Sequence, residues 1–145
     1  MSFQIDFDSK TNDKDIVSIP MCFRSQLDDF IESKESGTAE RIILEYLREN
    51  ALGRGNAKPW HAIASHLELF DIQISQQTFQ QGVLKESRES GVFIGSYDHA
   101  PSRGYFIVVD RQDAELMSDW YIRRISTLQS RLQHLRDLMN REFPI

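Results

Sequence analysis

The spacing of apolar residues along this chain predicts a mainly helical fold. Between residues 23 and 69, apolar side chains recur three and four positions apart in three stretches, as in helices that bury one face. Thr38 is a suitable N-cap for the second stretch, and Pro59 suits the first turn of the third. A fourth stretch follows Ser75, another suitable N-cap, and stops before Gly91. The sequence therefore predicts four helices before residue 91.

The fourth stretch has an unusually polar surface and runs directly into β-rich sequence. Its apolar positions are few (Phe79, Val83 and Leu84), and glutamines and cations occupy most of the rest. Two β-rich runs follow, "VFIGS" and "GYFIVV", joined by the polar segment "YDHAPSR". Short β-rich runs joined by such a segment predict a hairpin with a longer loop. A two-stranded ribbon with a basic tip is thus expected directly after a glutamine-rich helix.

The last segment predicts one long helix with a heptad repeat. Residues 113–142 contain no Pro or Gly, and Asp113 or Gln112 is a suitable cap. Apolar residues alternate at spacings of four and three, which is typical of a coiled coil between two copies of a chain. The alternative is a helix that folds back within its own chain. The predicted dimerisation residues are Tyr121, Ile125, Leu128, Leu132, Leu135 and Met139.

The order helix, helix, polar helix, hairpin resembles the winged helix-turn-helix family over residues 38–110. The resemblance rests on that order and on the run "ISQQTFQQGVLKESRESGVFIGS", followed by "RGYFIV". It extends to the small winged-helix proteins of phages and prophages. The expected fold is mainly α with a small β-hairpin. A winged-helix core at 38–112 would follow an acidic extension with a short helix at 1–37, and precede a long C-terminal helix at 113–145.

The resemblance implies sequence-specific binding of double-stranded DNA. The major groove admits one helix, and a glutamine side chain can donate to and accept from one adenine edge. In this family the hairpin is the wing, whose tip often touches phosphate or the minor groove. The expected DNA contacts are Gln76, Gln77, Thr78, Gln80, Gln81, Lys85 and Arg88 on the helix, His99, Ser102 and Arg103 at the wing, and Arg54 and Lys58 in the preceding loop.

Charge weakens this expectation without excluding it. The chain has a formal net charge of −5, whereas DNA-binding domains usually present a basic face. Residues 1–37 carry four Lys/Arg and eight Asp/Glu, so most of the negative charge lies there. Glu86 and Glu89, on the polar helix itself, would repel phosphate if they faced it. A protein-interaction module on the same fold, such as an adaptor or an inhibitor without DNA binding, is therefore the alternative.

Other residues give little support to catalysis, a metal or a cofactor. Cys22 is the single cysteine, and His61 and His66 are five positions apart rather than the four of a helical metal pair. The run "GRGNAK" lacks the spacing of a phosphate-binding loop. No secretory signal or membrane span is evident. We therefore expect a cytoplasmic, non-enzymatic homodimer, either a transcriptional regulator with a palindromic site or a phage or plasmid accessory factor.

Overall fold

The computed structural model describes residues 21–98 and 102–145. As the sequence predicts, the fold is mainly helical with one antiparallel hairpin and a long C-terminal helix. His99, expected at the wing tip, lies outside the described residues. The elements in chain order are α1 Met21–Glu32, α2 Ala39–Asn50, a 3-10 turn Arg54–Asn56, α3 Trp60–Glu68, α4 Gln76–Phe79, a π-helical turn Gln80–Leu84, α5 Lys85–Arg88, β1 Ile94–Asp98, β2 Arg103–Ile107 and α6 Arg111–Glu142.

Two of the predicted helix caps are confirmed. The Thr38 hydroxyl accepts a hydrogen bond from the Arg41 backbone N–H at 3.3 Å, and the Ser75 hydroxyl accepts one from the Thr78 N–H at 3.0 Å. Each satisfies one of the donors that a helix leaves unpaired in its first turn. Pro59 lies one residue outside α3 in extended conformation rather than in its first turn.

The predicted start of the C-terminal helix is wrong by a few residues. α6 begins at Arg111, and the Asp110 carboxylate accepts from the Asp113 backbone N–H at 2.7 Å. Asp110 therefore caps the helix, whereas Asp113 is fully buried inside the first turn. Both residues are acidic and suit a helix N-terminus, so local preference alone does not separate them.

The glutamine-rich helix is continuous over residues 76–88, but its middle turn is wider than an α-helical turn. Residues Gln80–Leu84 form a π-helical turn between α4 and α5. Phe79, Val83 and Leu84 are all buried, as their apolar character predicts. The three elements together are called the polar helix below. Single π turns inside helices are rare and recur at functional sites.

The hairpin is extended by a segment that the sequence predicts to be only a loop. β1 and β2 pair antiparallel from Ile94 opposite Ile107 to Asp98 opposite Arg103. On the other edge of β2, the Lys58 N–H donates to the Tyr105 carbonyl at 2.9 Å, and the Tyr105 N–H donates back at 2.8 Å. Residues 51–58 thus cover the edge of β2, although their two glycines suggest a turn.

α1 packs in the same core as the elements that follow it. Leu27 and Ile31 of α1 are buried in one cluster with residues of α2, α3, the polar helix and the hairpin. Its acidic residues Asp28 and Asp29 are exposed. The described residues up to Asp113 form one compact unit, and Ala114–Ile145 form a second. The acidic N-terminal region therefore contributes a core helix to the first unit.

Gly104 permits a close backbone approach between β2 and residues 58–59. Its φ of +120° favours glycine, and a Cβ there would lie 2.0 Å from the Lys58 carbonyl oxygen and 2.6 Å from the Pro59 Cα. Any side chain would push residues 58–59 away from β2. The hydrogen bonds between Lys58 and Tyr105 therefore require glycine at this position.

Replacing Gly104 by alanine is expected to destabilise the protein by about 3 kcal/mol or more, through backbone strain and loss of the Lys58–Tyr105 pairing. Gly82→Ala in the π turn is the matched control, because a Cβ there meets nothing within 4 Å. It should be neutral or stabilising by about 0.5 to 1 kcal/mol. Urea unfolding measures both values, and equal effects would contradict the role of Gly104.

Candidate nucleic-acid interface

The hydroxyl of Tyr105 joins the polar helix to the hairpin. Tyr105 on β2 is buried, and its Oη accepts hydrogen bonds from the Gln76 Nε2 at 2.9 Å and the Gln80 Nε2 at 3.1 Å. The Phe79 ring packs edge-on against the tyrosine ring, with centroids 4.8 Å apart. Two donors from the same helix thus occupy both acceptor positions of the hydroxyl oxygen. The start of the polar helix is fixed against the sheet.

Two cations share the sheet face of Tyr105. Side chains of alternate residues point to the same face of a strand, so Arg103 lies on that face of β2. Lys58 is directly opposite Tyr105 in the bridge, and directly opposed residues also share a face. Neither cation forms an ion pair with another described residue, although Asp98 is the register partner of Arg103. Both cationic side chains therefore lie on the side of the sheet that carries the polar helix.

On the polar helix, Gln77 and Gln81 are exposed, and no hydrogen bond to another described residue holds either side chain. The Thr78 hydroxyl is also exposed but lies 3.0 Å from the Ser75 hydroxyl, within the helix cap. The Lys85 Nζ lies 3.3 Å from the Glu89 carboxylate in an exposed pair. Gln77 and Gln81 are thus the predicted base-reading residues that remain available.

The acids on this helix are also paired, which reduces the repulsion expected from the sequence. The Glu86 carboxylate lies 2.5 Å from the Nζ of Lys34, in the segment after α1. Glu89 pairs with Lys85 as described. Each carboxylate is partly neutralised by a neighbouring cation. In each pair at least one of the two side chains is solvent-exposed, so the pairs are weak.

Arg88 is held within the fold. Its Nε donates to the Ile94 carbonyl at 3.0 Å, and one terminal nitrogen donates to the Ser96 hydroxyl at 3.1 Å. The guanidinium also lies over the Phe93 ring, 5.5 Å from the centroid. Arg88 therefore holds the end of the polar helix against β1, and only its other terminal nitrogen is left for the phosphate contact expected from the sequence.

Arg54 is likewise occupied, in an ion pair with a buried acid. One terminal nitrogen of Arg54 donates to the Asp113 Oδ1 at 2.6 Å, and the other donates to the Gln112 side-chain oxygen at 2.6 Å. Asp113 also accepts from the backbone N–H groups of Arg54 and Val109, at 3.3 and 3.1 Å. The hydrogen bond to Asp113 raises the pKa of Arg54, and its effect exceeds the lowering caused by burial.

Ser102 has a structural contact as well. Its hydroxyl donates to the Gly55 carbonyl at 2.7 Å, which ties the hairpin to the 3-10 turn. The structure thus brings Gln76, Gln80, Lys58 and Arg103 to one region around Tyr105. No role for Tyr105 is predicted from the sequence. Its place on the inner face follows from the alternation in "GYFIV", but its hydrogen-bond partners depend on tertiary packing.

The predicted heptad stripe of α6 is exposed in the second unit. The exposed fractions are 53% for Ile125, 56% for Leu128 and 52% for Leu135. On a neighbouring face the Arg124 guanidinium lies over the Trp120 ring, 4.8 Å from its centroid. Among the helices within residues 21–98 and 102–145, none is long and apolar enough to cross a membrane.

Comparisons with protein-family models, with curated proteins and with solved structures found no match to this chain. The resemblance to winged-helix proteins therefore stays a prediction from element order and from the sequence runs quoted above. The contacts around Tyr105 favour the polar helix and the adjoining sheet face as the candidate interface.

Replacing Arg54 by methionine is expected to cost about 2 to 3 kcal/mol of folding free energy, because the buried Asp113 carboxylate loses its charged partner. Arg48→Met is the matched control, since it breaks a pair with the exposed Asp28 and should cost less than about 1 kcal/mol. Urea unfolding of both variants tests the difference. An equal loss of unfolding free energy in both variants would show that the Arg54–Asp113 pair stabilises the protein no more than an exposed ion pair does.

Proposed function

We propose that residues 38–112 form a winged-helix domain that binds double-stranded DNA. The polar helix would enter the major groove, and the hairpin would contact the neighbouring backbone. The observation that carries this proposal is the Tyr105 hydroxyl, which holds Gln76 and Gln80 beside the sheet face of Lys58 and Arg103. A helix and a ribbon fixed to each other in this way can grip adjacent parts of one duplex.

The element order supports the proposal. α2 is followed by a segment that pairs with β2, then by α3, the polar helix and the hairpin. Two bridges, Leu52 with Ile107 and Lys58 with Tyr105, hold the outer edge of β2, so the hairpin has a fixed edge. The pairing of Lys58 with Tyr105 is therefore consistent with the winged-helix resemblance, in a region that the sequence predicts only as a loop.

The contacts divide into two kinds. Gln77 and Gln81 are exposed amides that suit base edges, whereas Lys58 and Arg103 are cations that suit phosphates. Gln76 and Gln80 act indirectly, through Tyr105. This set is smaller than the sequence suggested, because Arg54 and Arg88 are engaged within the fold.

With only Lys58 and Arg103 as phosphate contacts, non-specific binding to DNA should be weak. Each neutralised phosphate contributes about −0.9 to the slope of log affinity against log salt, so two cations give a slope of about −2 per domain. Strongly basic DNA-binding proteins show far steeper slopes. Its affinity would therefore depend on base contacts. It would also depend on a second winged-helix domain, linked to the first in a dimer, binding the same duplex.

A protein-interaction module is the second candidate, and one surface favours it. Leu69 and Phe70, in the turn between α3 and the polar helix, are 77% and 51% exposed. Adjacent exposed apolar side chains are typical of protein contact sites. The Phe70 ring packs edge-on against His66, and the His66 ring packs at a tilt against Tyr46, so side chains of α2 and α3 support this turn.

Neutralising both free cations should weaken binding to every DNA sequence alike. Lys58→Gln together with Arg103→Gln is expected to reduce the salt slope by about two, because two phosphate contacts are lost. Arg48→Gln is the control, since Arg48 pairs with Asp28 on α1 and should leave the slope unchanged. Fluorescence anisotropy with a labelled duplex at several salt concentrations measures the slope. An unchanged slope in the double variant would exclude this surface.

Removing the two exposed glutamines should instead relax sequence preference. Gln77→Ala with Gln81→Ala is expected to flatten base selection, while unspecific binding and stability stay near those of the parent protein. Gln133→Ala on α6 is the matched control, because its amide bonds to Asp137. Selection from a random duplex pool at about 100 mM salt, followed by sequencing, measures the preference. If the parent protein enriches nothing and binds no duplex even at low salt, the interaction module becomes the better reading.

A further inference from the structure

The exposed stripe of α6 has the composition of a two-stranded coiled coil. In heptad terms Ile125, Leu132 and Met139 are a positions, and Tyr121, Leu128 and Leu135 are d positions. The a and d side chains other than Tyr121 are each 45–56% exposed. In a parallel coiled coil, Ile at an a position with Leu at d positions favours two strands. We propose that α6 pairs with α6 of a second copy of this chain, parallel and in register.

Apolar flanking residues distinguish parallel from antiparallel pairing. In a parallel pair each g residue faces the e residue of the partner's next heptad, so Leu138 would meet Phe143 of the second copy. Phe143 is 70% exposed and continues the helical hydrogen bonding of α6. In an antiparallel pair with the same apolar layers, Leu138 would face Arg124. Only the parallel arrangement covers these apolar flanks with apolar partners.

The charged flanks would weaken self-pairing without preventing it. Residues 120–136 contain four arginines and no acid. In the parallel pair Arg131 faces Arg136 of the second copy, and symmetry makes two such contacts. In the antiparallel pair Arg131 faces Arg131 of the second copy. Exposed like charges on helices repel only weakly, whereas six apolar positions per chain are buried. A second copy is therefore a stable occupant of the stripe.

The repulsion has a measurable consequence. Salt screens like charges on the surface, so self-association of this chain should tighten as salt rises. DNA binding weakens as salt rises, because counterions are released from phosphate. The two processes thus have opposite salt dependences. The pairing itself does not rest on the proposed DNA function and is tested without DNA.

Charge reversal in the full-length chain tests both the pairing and its direction. In a parallel pair, Arg131→Glu creates two Glu–Arg contacts and should lower the dimer dissociation constant by about tenfold. Arg136→Glu should do the same, and the double variant should return near the parent value because the like charges are restored. Arg123→Glu, on the outer face, is the matched control for net charge. Sedimentation equilibrium measures each constant, and circular dichroism verifies that the variants are folded.

Other results would overturn the proposal. In an antiparallel pair Arg131→Glu only replaces one like-charge contact by another, so neither single variant would tighten the dimer. A parent chain that stays monomeric in high salt at every concentration tested would remove the second copy as occupant. In that case a helix with acidic flanks from another protein would be the next partner to examine.

Disulfide trapping gives an independent measure of direction. In a Cys22→Ser background, Leu128→Cys places two cysteines in one d layer of the parallel pair, and oxidation should link two copies. The antiparallel pair places residue 128 opposite residue 132. Covalent dimer that forms only when Leu128→Cys and Leu132→Cys chains are mixed would therefore contradict the parallel arrangement.

Discussion

The contact between Gly104 and the backbone of residues 58–59 is the constraint on which the first unit depends. Because Gly104 has no side chain, Lys58 can pair with Tyr105 on the edge of β2. That pairing fixes the strand, and the strand in turn fixes the Tyr105 hydroxyl that holds Gln76 and Gln80. A single close approach of two backbones thus determines where the polar helix lies relative to the hairpin.

The polar side chains of this unit either bond to other residues of the protein or remain open to solvent. Arg54 neutralises the buried Asp113, and Arg88 satisfies carbonyl and hydroxyl groups of β1. The charge of Arg54 is offset by a buried carboxylate, whereas Arg88 bonds only to neutral groups and keeps its positive charge. A count of cations therefore overstates the charge that Arg54 offers to an anionic partner. Most of the net charge of −5 lies in residues 1–37, so the net charge does not describe the surroundings of Tyr105.

Local patterns predicted most of the fold and only part of the site. The helices, the hairpin and the caps Thr38 and Ser75 follow from residue spacing and short-range hydrogen bonding. The bridges that Leu52 and Lys58 form with β2 could not be predicted, because β2 lies far along the chain. The engagement of Arg54 likewise depends on Asp113, which is remote in sequence. Whether a polar residue faces solvent or a distant partner depends on the tertiary structure. The spacing of apolar residues in the sequence does not reveal it.

The π turn over Gln80–Leu84 adds one residue to the polar helix without redirecting its ends. A π turn holds one residue more than the α-helical turn it replaces. Deleting that residue would restore α-helical hydrogen bonding and leave the first and last turns facing nearly as before. The same deletion in a regular α-helical turn would rotate one end by about 100° relative to the other. A codon gained at this point is thus absorbed by the π turn, and Gln76 keeps its place at the Tyr105 hydroxyl.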